Sequence, residues 1–255
     1  MGSNRLARIW PPAAVMAALL IVWQAGVMWS GIEKWLLPSP LDVGREAIAI
    51  APRLLENTWA TTELTLLGFI GGAAAGFVLA AVLHIIPGTR IGVYPLLVLT
   101  QNVPIIALGP LLVLWLGYGL LPKVLLVVIV CFFPICVAML TGLTQSDPKL
   151  RNYMLMIGTR RSQLFWRLEL PHAVPYLFSG LKIAASYSVT SAVVAEWIGS
   201  QSGLGHFMLL SSKSYKAPRV FAAVILIVAL SLILFGLVVL AERMVVRWRQ
   251  AEGDH

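Results

Sequence analysis

The sequence predicts an all-α integral membrane protein with six transmembrane helices, and three observations lead there. Of its 255 residues, 59% are hydrophobic and only 12% charged, about half the charged fraction of a soluble domain. Six apolar runs punctuate the chain, of a length suited to a hydrocarbon core about 30 Å thick. The basic residues gather beside alternate ends of those runs, as the orientation rule for membrane helices requires. The net charge of +8 therefore has a membrane explanation, and no nucleic-acid partner is expected.

Arg5 and Arg8 precede the first run, 13–29, which reads as an anchor because no small-residue cleavage site follows it. Residues 31–58 are mixed, with Pro38, Pro40 and Pro52 around an amphipathic piece at 43–50. That pattern predicts an external connector lying along the membrane surface. The second run, 59–84, carries Gly68, Gly71, Gly72 and Gly76 with alanines between them, and predicts close helix packing inside the bundle or at a subunit contact. A short turn at 87–90 leads to the third run, 92–116, interrupted by Pro95, Pro104 and Pro110. It places Gln101 and Asn102 at mid-depth, where broken helices with polar groups line cavities. After Gly117-Tyr118-Gly119, the fourth run, 124–143, holds Cys131 and Cys136 on different helical faces, read as core thiols.

Residues 150–175 form a long charged interruption with Arg151, Arg160, Arg161 and Arg167. Its apolar residues Tyr153, Leu155 and Met156, then Leu164, Phe165 and Leu168, predict two short amphipathic helices hinged near Gly158. The fifth run, 176–198, is polar for lipid exposure, with Ser179, Lys182, Ser186, Tyr187, Ser188, Thr190, Ser191 and Glu196, so it should face protein or water. Lys182 is expected to snorkel to the cytoplasmic interface. A second external segment, 199–218, precedes the sixth run, 220–240, and a tail with Arg243, Arg247 and Arg249. With both termini inside, twelve of the nineteen Lys and Arg residues lie at the cytoplasmic face; the opposite orientation reverses the bias. Trp23, Trp29, Trp35, Trp59 and Trp197 mark interfaces.

The chain has no phosphate loop of the G-x-x-x-x-G-K-[ST] type, so it cannot hydrolyse ATP alone. His84, His172 and His206 sit in separate loops or run ends, and Glu169 has no carboxylate partner nearby in sequence. No catalytic residue and no metal ligand is assigned, and an enzyme is not expected.

Gly158 followed by Leu170-Pro171 resembles the cytoplasmic loop motif of binding-protein-dependent ABC importer permeases, and Phe165, Leu168, Pro175 and Gly180-Leu181-Lys182 fit the same pattern. In that family the motif opens with Glu-Ala-Ala; here those positions are Asn152, Tyr153 and Met154. The resemblance spans about residues 37–243. Leu37-Pro38-Ser39-Pro40, 195–199 and Gly203-Leu204-Gly205 are similar to the nitrate, sulfonate and taurine branch. Segments 102–108, 117–123 and 131–135 are most similar to permeases for pyrimidine precursors of thiamine, of the hydroxymethylpyrimidine type. Riboflavin, nitrate, sulfonate and taurine permeases share much of this frame.

The resemblance implies a type I ABC importer permease fold across one domain, 1–255, in a bacterial inner membrane. It implies a homodimer with the solute path on its two-fold axis, and an extracytoplasmic binding protein docking near Ser39 and Gly203. Two cytoplasmic ATPase subunits would use ATP and Mg, with no cofactor in this chain. The loop 145–173 becomes the coupling element, with Asn152, Tyr153, Met154, Gly158, Arg160, Arg161, Leu170 and Pro171 as its ATPase-coupling residues. An amphipathic face suffices for such helix-in-groove docking, whatever the opening residue.

Candidates for the substrate path are Gln101, Asn102, Tyr187, Ser188, Ser191, Glu196 and Trp197. Gln101 and Asn102 can pair with a neutral heteroaromatic solute or satisfy backbone freed by Pro104. Glu196 can meet a cationic or aminopyrimidine solute, or serve a structural or gating role paired with Lys213, Lys216 or Arg219. A reading from another class, an ion-coupled secondary carrier, needs a relay of membrane carboxylates; only Glu63 and Glu196 offer one.

Overall fold

The computed structural model describes residues 3–86 and 88–246, and among them every regular element is helical. Pro87, Arg247 and Arg249 lie outside the described residues, as do the side chains of Arg5 and Arg8. The elements are α1 (Ser3–Ser30), α2 (Pro40–Ala49), α3 (Ala51–Ile85), α4 (Thr89–Gln101), α5 (Ile105–Leu116) and α6 (Leu120–Thr144). They continue as α7 (Pro148–Met156), α8 (Arg161–Leu164), a π-turn (Phe165–Glu169), α9 (Leu170–Trp197), α10 (Leu204–Lys213) and α11 (Ala217–Val245).

Four helical stretches among the described residues are long and apolar enough to cross a membrane: α3, α6, the continuous run Arg161–Trp197, and α11. The third predicted span is two helices, α4 and α5, bent by 102°. Of the three prolines expected to interrupt this run, only Pro104 lies at the break; Pro95 and Pro110 are carried inside α4 and α5. Pro104 takes an extended conformation (φ −60°, ψ 124°) before α5 begins, and a residue without an N–H cannot carry the ladder through. In α1 the apolar stretch Ala14–Ser30 is shorter than the four clear spans. Six is reached by counting α1 and taking α4 with α5 as one broken span.

The core of the bundle is α3, α6 and α9. Gly68, Gly72 and Gly76, four residues apart on α3, meet Val127, Cys131 and Phe132–Ile135 in steady register on α6. A Cβ on Gly72 would lie 2.6 Å from the Cys131 Cβ, and one on Gly76 2.6 Å from the Phe132 carbonyl oxygen. The small-residue stripe thus serves the bundle interior, with two parallel helices in backbone contact. Helix α9 runs antiparallel to both. Its Gly180 fits against Pro134 and Ile135 of α6, and Ala184, Ala185, Val189 and Ala192 are fully buried between the helices. Cys131 and Cys136 are fully buried free thiols.

The connector before α3 is helical, as its amphipathic pattern predicts. Ser39 caps α2, accepting from the Asp42 N–H at 3.2 Å and donating to the Asp42 carboxylate at 2.9 Å. The Lys34 ammonium, 3.0 Å away, and the Ser39 hydroxyl hold the Asp42 carboxyl below the usual carboxylate range. Helix α2 is clipped to α11 by Arg219 and Glu46 at 2.6 Å, and α1 reaches the same region through Trp23 against Phe221. The Lys182 ammonium lies 2.8 Å from Glu242, near the C-terminal end of α11, in a partly exposed pair joining two spans.

Candidate functional site

The charged loop is built as a helix, a hinge and the start of a span. Asp147 caps α7 by accepting the Lys149 N–H at 2.7 Å, and Pro148 occupies the first helical position, where no N–H is missed. At the far end Gly158 takes φ +81°, and the N–H groups of Gly158 and Thr159 return to the carbonyls of Leu155 and Met154. A glycine closing a helix in the left-handed region is the signal by which the hinge was legible. The second predicted helix is instead the first turn of the next span. Gln163 accepts the Arg160 N–H at 3.1 Å, α8 follows, and Leu164 and Phe165 turn inward and are buried.

None of the residues of α7 is buried. Tyr153, Met156 and Ile157 are each more than 60% exposed, a linear apolar face that this chain leaves open and flanks with exposed Asn152, Arg160 and Arg161. Met154 is half-buried, as is Leu170, which packs on the apolar cluster where α3, α6 and α9 meet; Pro171 is exposed.

A second feature lies at the break between α4 and α5. A cavity of about 340 Å³ is lined by Gln101, Asn102 and Val103 of the break, Ile129 and Phe133 of α6, and Ile183 and Tyr187 of α9. Gln101, Asn102 and Tyr187 therefore come together. Asn102 donates from Nδ2 to the Val98 carbonyl at 2.9 Å, so one end of its amide satisfies the interrupted helix. Ser188 and Ser191 are not part of this cavity; both are buried and donate back to carbonyls of their own helix, Ser188 to Ala185, and Ser191 to Tyr187 and Ser188. Trp197 closes α9, partly exposed and away from the break.

Glu196 lies at the opposite end of the bundle from α7, 2% exposed. The partners expected for it, Lys213, Lys216 and Arg219, do not reach it. It accepts from the Thr61 hydroxyl and from the Gly205 N–H, each at 2.7 Å. Thr61 in turn accepts the Leu204 N–H at 2.8 Å, and Asn57 accepts the Gly203 N–H at 2.9 Å. Gly203 and Gly205 press directly on the carboxylate, leaving no space for a side chain. The group is a clasp tying the segment after α9 to α3.

Near α7, the Glu169 carboxylate meets His84 Nε2 at 2.7 Å and Arg151 Nε at 3.5 Å. Nothing local in the sequence marks this cluster, because its members are scattered over α3, α7 and the π-turn. The available signal is a lone carboxylate inside an apolar helix start, which demands a partner somewhere. Among the described residues no group of three or more His, Cys, Asp or Glu side chains is placed to hold a metal ion.

A family model described as the binding-protein-dependent transport system inner membrane component matches residues 72–247. The chain is 31% identical over 242 residues to the formylaminopyrimidine transport permease ThiX of Halalkalibacterium halodurans, covering 94% of this chain and 96% of that protein. It is 34% identical over 245 residues to the riboflavin transport permease RibX of Chloroflexus aurantiacus, covering 94% and 91%. In fold it matches an inward-facing structure of the MetNI methionine ABC transporter, with a TM-score of 0.68 at 19% identity, over 77% of this chain and 98% of that one. These matches select the ABC importer permease over the ion-coupled carrier. The chain belongs to the inner-membrane component family of binding-protein-dependent transport systems, as a multi-pass permease subunit of an ABC importer and not an enzyme.

Proposed function

We propose that this permease passes a planar pyrimidine of the thiamine-precursor type, by alternating access along the axis of a homodimer. The single observation carrying the solute is the identity to a formylaminopyrimidine permease across 94% of this chain. The cavity at the α4–α5 break agrees with it in chemistry. The amides of Gln101 and Asn102 supply donors and acceptors for ring nitrogens and exocyclic groups, and the Tyr187 ring supplies an aromatic face. The riboflavin permease at 34% identity supports a second reading, another planar nitrogen heterocycle but a larger one. Nitrate, sulfonate and taurine lack such a ring.

Residues 1–255 act as one permease domain with both termini in the cytoplasm. The segment 145–173 is the coupling loop, and the open face of α7, with Asn152, Tyr153, Met154, Gly158, Arg160 and Arg161, docks on an ATPase subunit that binds ATP and Mg. Two such ATPase subunits and an extracytoplasmic binding protein complete the importer. The test is uptake by liposomes holding the full complex. Labelled formylaminopyrimidine should enter with ATP, and Gln101→Leu/Asn102→Leu should lower its uptake by about tenfold through two lost polar contacts, with the ATPase subunit retained. Uptake of riboflavin in place of the pyrimidine would reassign the solute.

A further inference from the structure

Glu169 is a carboxylate that docking on an ATPase does not use. It ends the π-turn at which α8 becomes α9 and is 4% exposed. Its two oxygens face two different elements. Oε2 lies 2.7 Å from His84 Nε2 in the last turn of α3, and Oε1 lies 3.5 Å from Arg151 Nε on α7. A buried carboxylate is held in place by such partners, since leaving it unpaired is costly.

The surroundings isolate this cluster as a link. Cavities of about 370 and 570 Å³ open on either side, the first toward Arg90 and Ser146, the second toward Leu155, Arg161 and Trp166. Because α7 buries none of its own residues, Arg151 to Glu169 is its ion pair with the spans. The carboxylate also sits where the helical ladder is wide. The Leu170 N–H bonds to the Phe165 carbonyl, five residues back, and Pro171 follows with no N–H to give. A π-turn beside a proline is a place where a helix can tilt.

We propose that His84, Glu169 and Arg151 form a coupling latch, positioning residues through which a displacement of α7 passes at once to α3 and α9. The latch rests on the coupling-loop reading above. It gives α7 a charged contact with the spans in a chain that lacks the Glu-Ala-Ala opening. The charged handle on α7 is an arginine, and its carboxylate partner is supplied by the span.

The experiment uses the complete complex in liposomes and reads the stimulation of ATP hydrolysis by its binding protein, purified with the solute it carries. Glu169→Gln and His84→Leu should lose about tenfold of that stimulation while retaining the ATPase subunit at the wild-type ratio. His84→Gln, which keeps a donor toward the carboxylate, should retain most of it. Wild-type stimulation in Glu169→Gln and His84→Leu would overturn the latch. Loss of the ATPase subunit from those two variants would also overturn it, in favour of a purely structural role. The parallel variant Arg160→Glu/Arg161→Glu separates the two ideas. If it loses ATPase association while Glu169→Gln and His84→Leu keep wild-type stimulation, the coupling loop stands and the latch falls; if it too behaves as wild type, the coupling-loop reading fails as well.

Discussion

Glu196 illustrates what a single residue does when it is buried with its partners. Its two oxygens are occupied by Thr61 and Gly205, and the Thr61 oxygen is occupied again by the Leu204 N–H. Thr61→Val therefore strands both a buried carboxylate oxygen and a buried N–H. It should cost about 1–3 kcal/mol, read as a lowered unfolding temperature in detergent, while Thr61→Ser should restore most of the loss. The sequence makes Glu196 conspicuous, and its candidate partners were the nearby cations, because charge complementarity is what a linear reading can see. A neutral hydroxyl 135 residues away and a backbone N–H are invisible to it. The same limit hides Glu169 and His84, whose pairing exists only once α3 and α9 lie antiparallel. Ser188 and Ser191 show the converse: polar letters in a span suggest a lined path, yet each hydroxyl is consumed by its own helix.

Among the elements, α3 was the most legible, because small residues every four positions have one physical use in lipid. Gly72 tests it. Gly72→Leu would drive a side chain into Cys131 and the Phe132 backbone and should cost about 1–3 kcal/mol or more by overpacking. Gly236 of α11 has nothing within 4 Å of where a Cβ would lie, so Gly236→Ala should stabilise by about 0.5–1 kcal/mol through helix propensity alone. Comparing the two in one thermal-unfolding series separates packing from helix propensity. The break at Pro104 was equally readable, since proline acts locally. Where the charged loop ends and the fifth span begins was not, because Leu164 and Phe165 have the same helical spacing whether they face a partner or the core. The predicted start at residue 176 lies well inside a helix that begins at Arg161.

For the whole molecule, the two polar clusters lie at opposite ends of the same pair of helices, α3 and α9. Glu196 and Thr61 join α9 to α3 at one end, and Glu169 and His84 join them at the other. Composition and the distribution of arginine predicted a membrane bundle with an orientation, and the proposed orientation puts α7 inside and α10 outside. A cysteine at Lys149 should then react with an impermeant thiol reagent only from the cytoplasmic side, and one at Lys216 only from outside. The native Cys131 and Cys136 are fully buried and should stay silent in both cases. Labelling of the two positions from the same side would invalidate the topology. What composition could not supply is the assembly of α3, α6 and α9 into one core, which depends on contacts between residues far apart in the chain.

The wide turn at Phe165–Glu169 also fixes the direction in which α7 and α8 point. A π-turn holds one residue more than the α-helical turn it replaces, and one residue is about 100° of rotation about a helix axis. Removing a residue from this turn would let α8 and α9 run on as a regular helix, and would swing everything upstream of Phe165 around that axis by about the same angle. The apolar face of α7 would then look away from wherever it looks now, with every side chain of the face unchanged. The aim of the loop is thus set by a count of residues in the turn rather than by the loop's own composition.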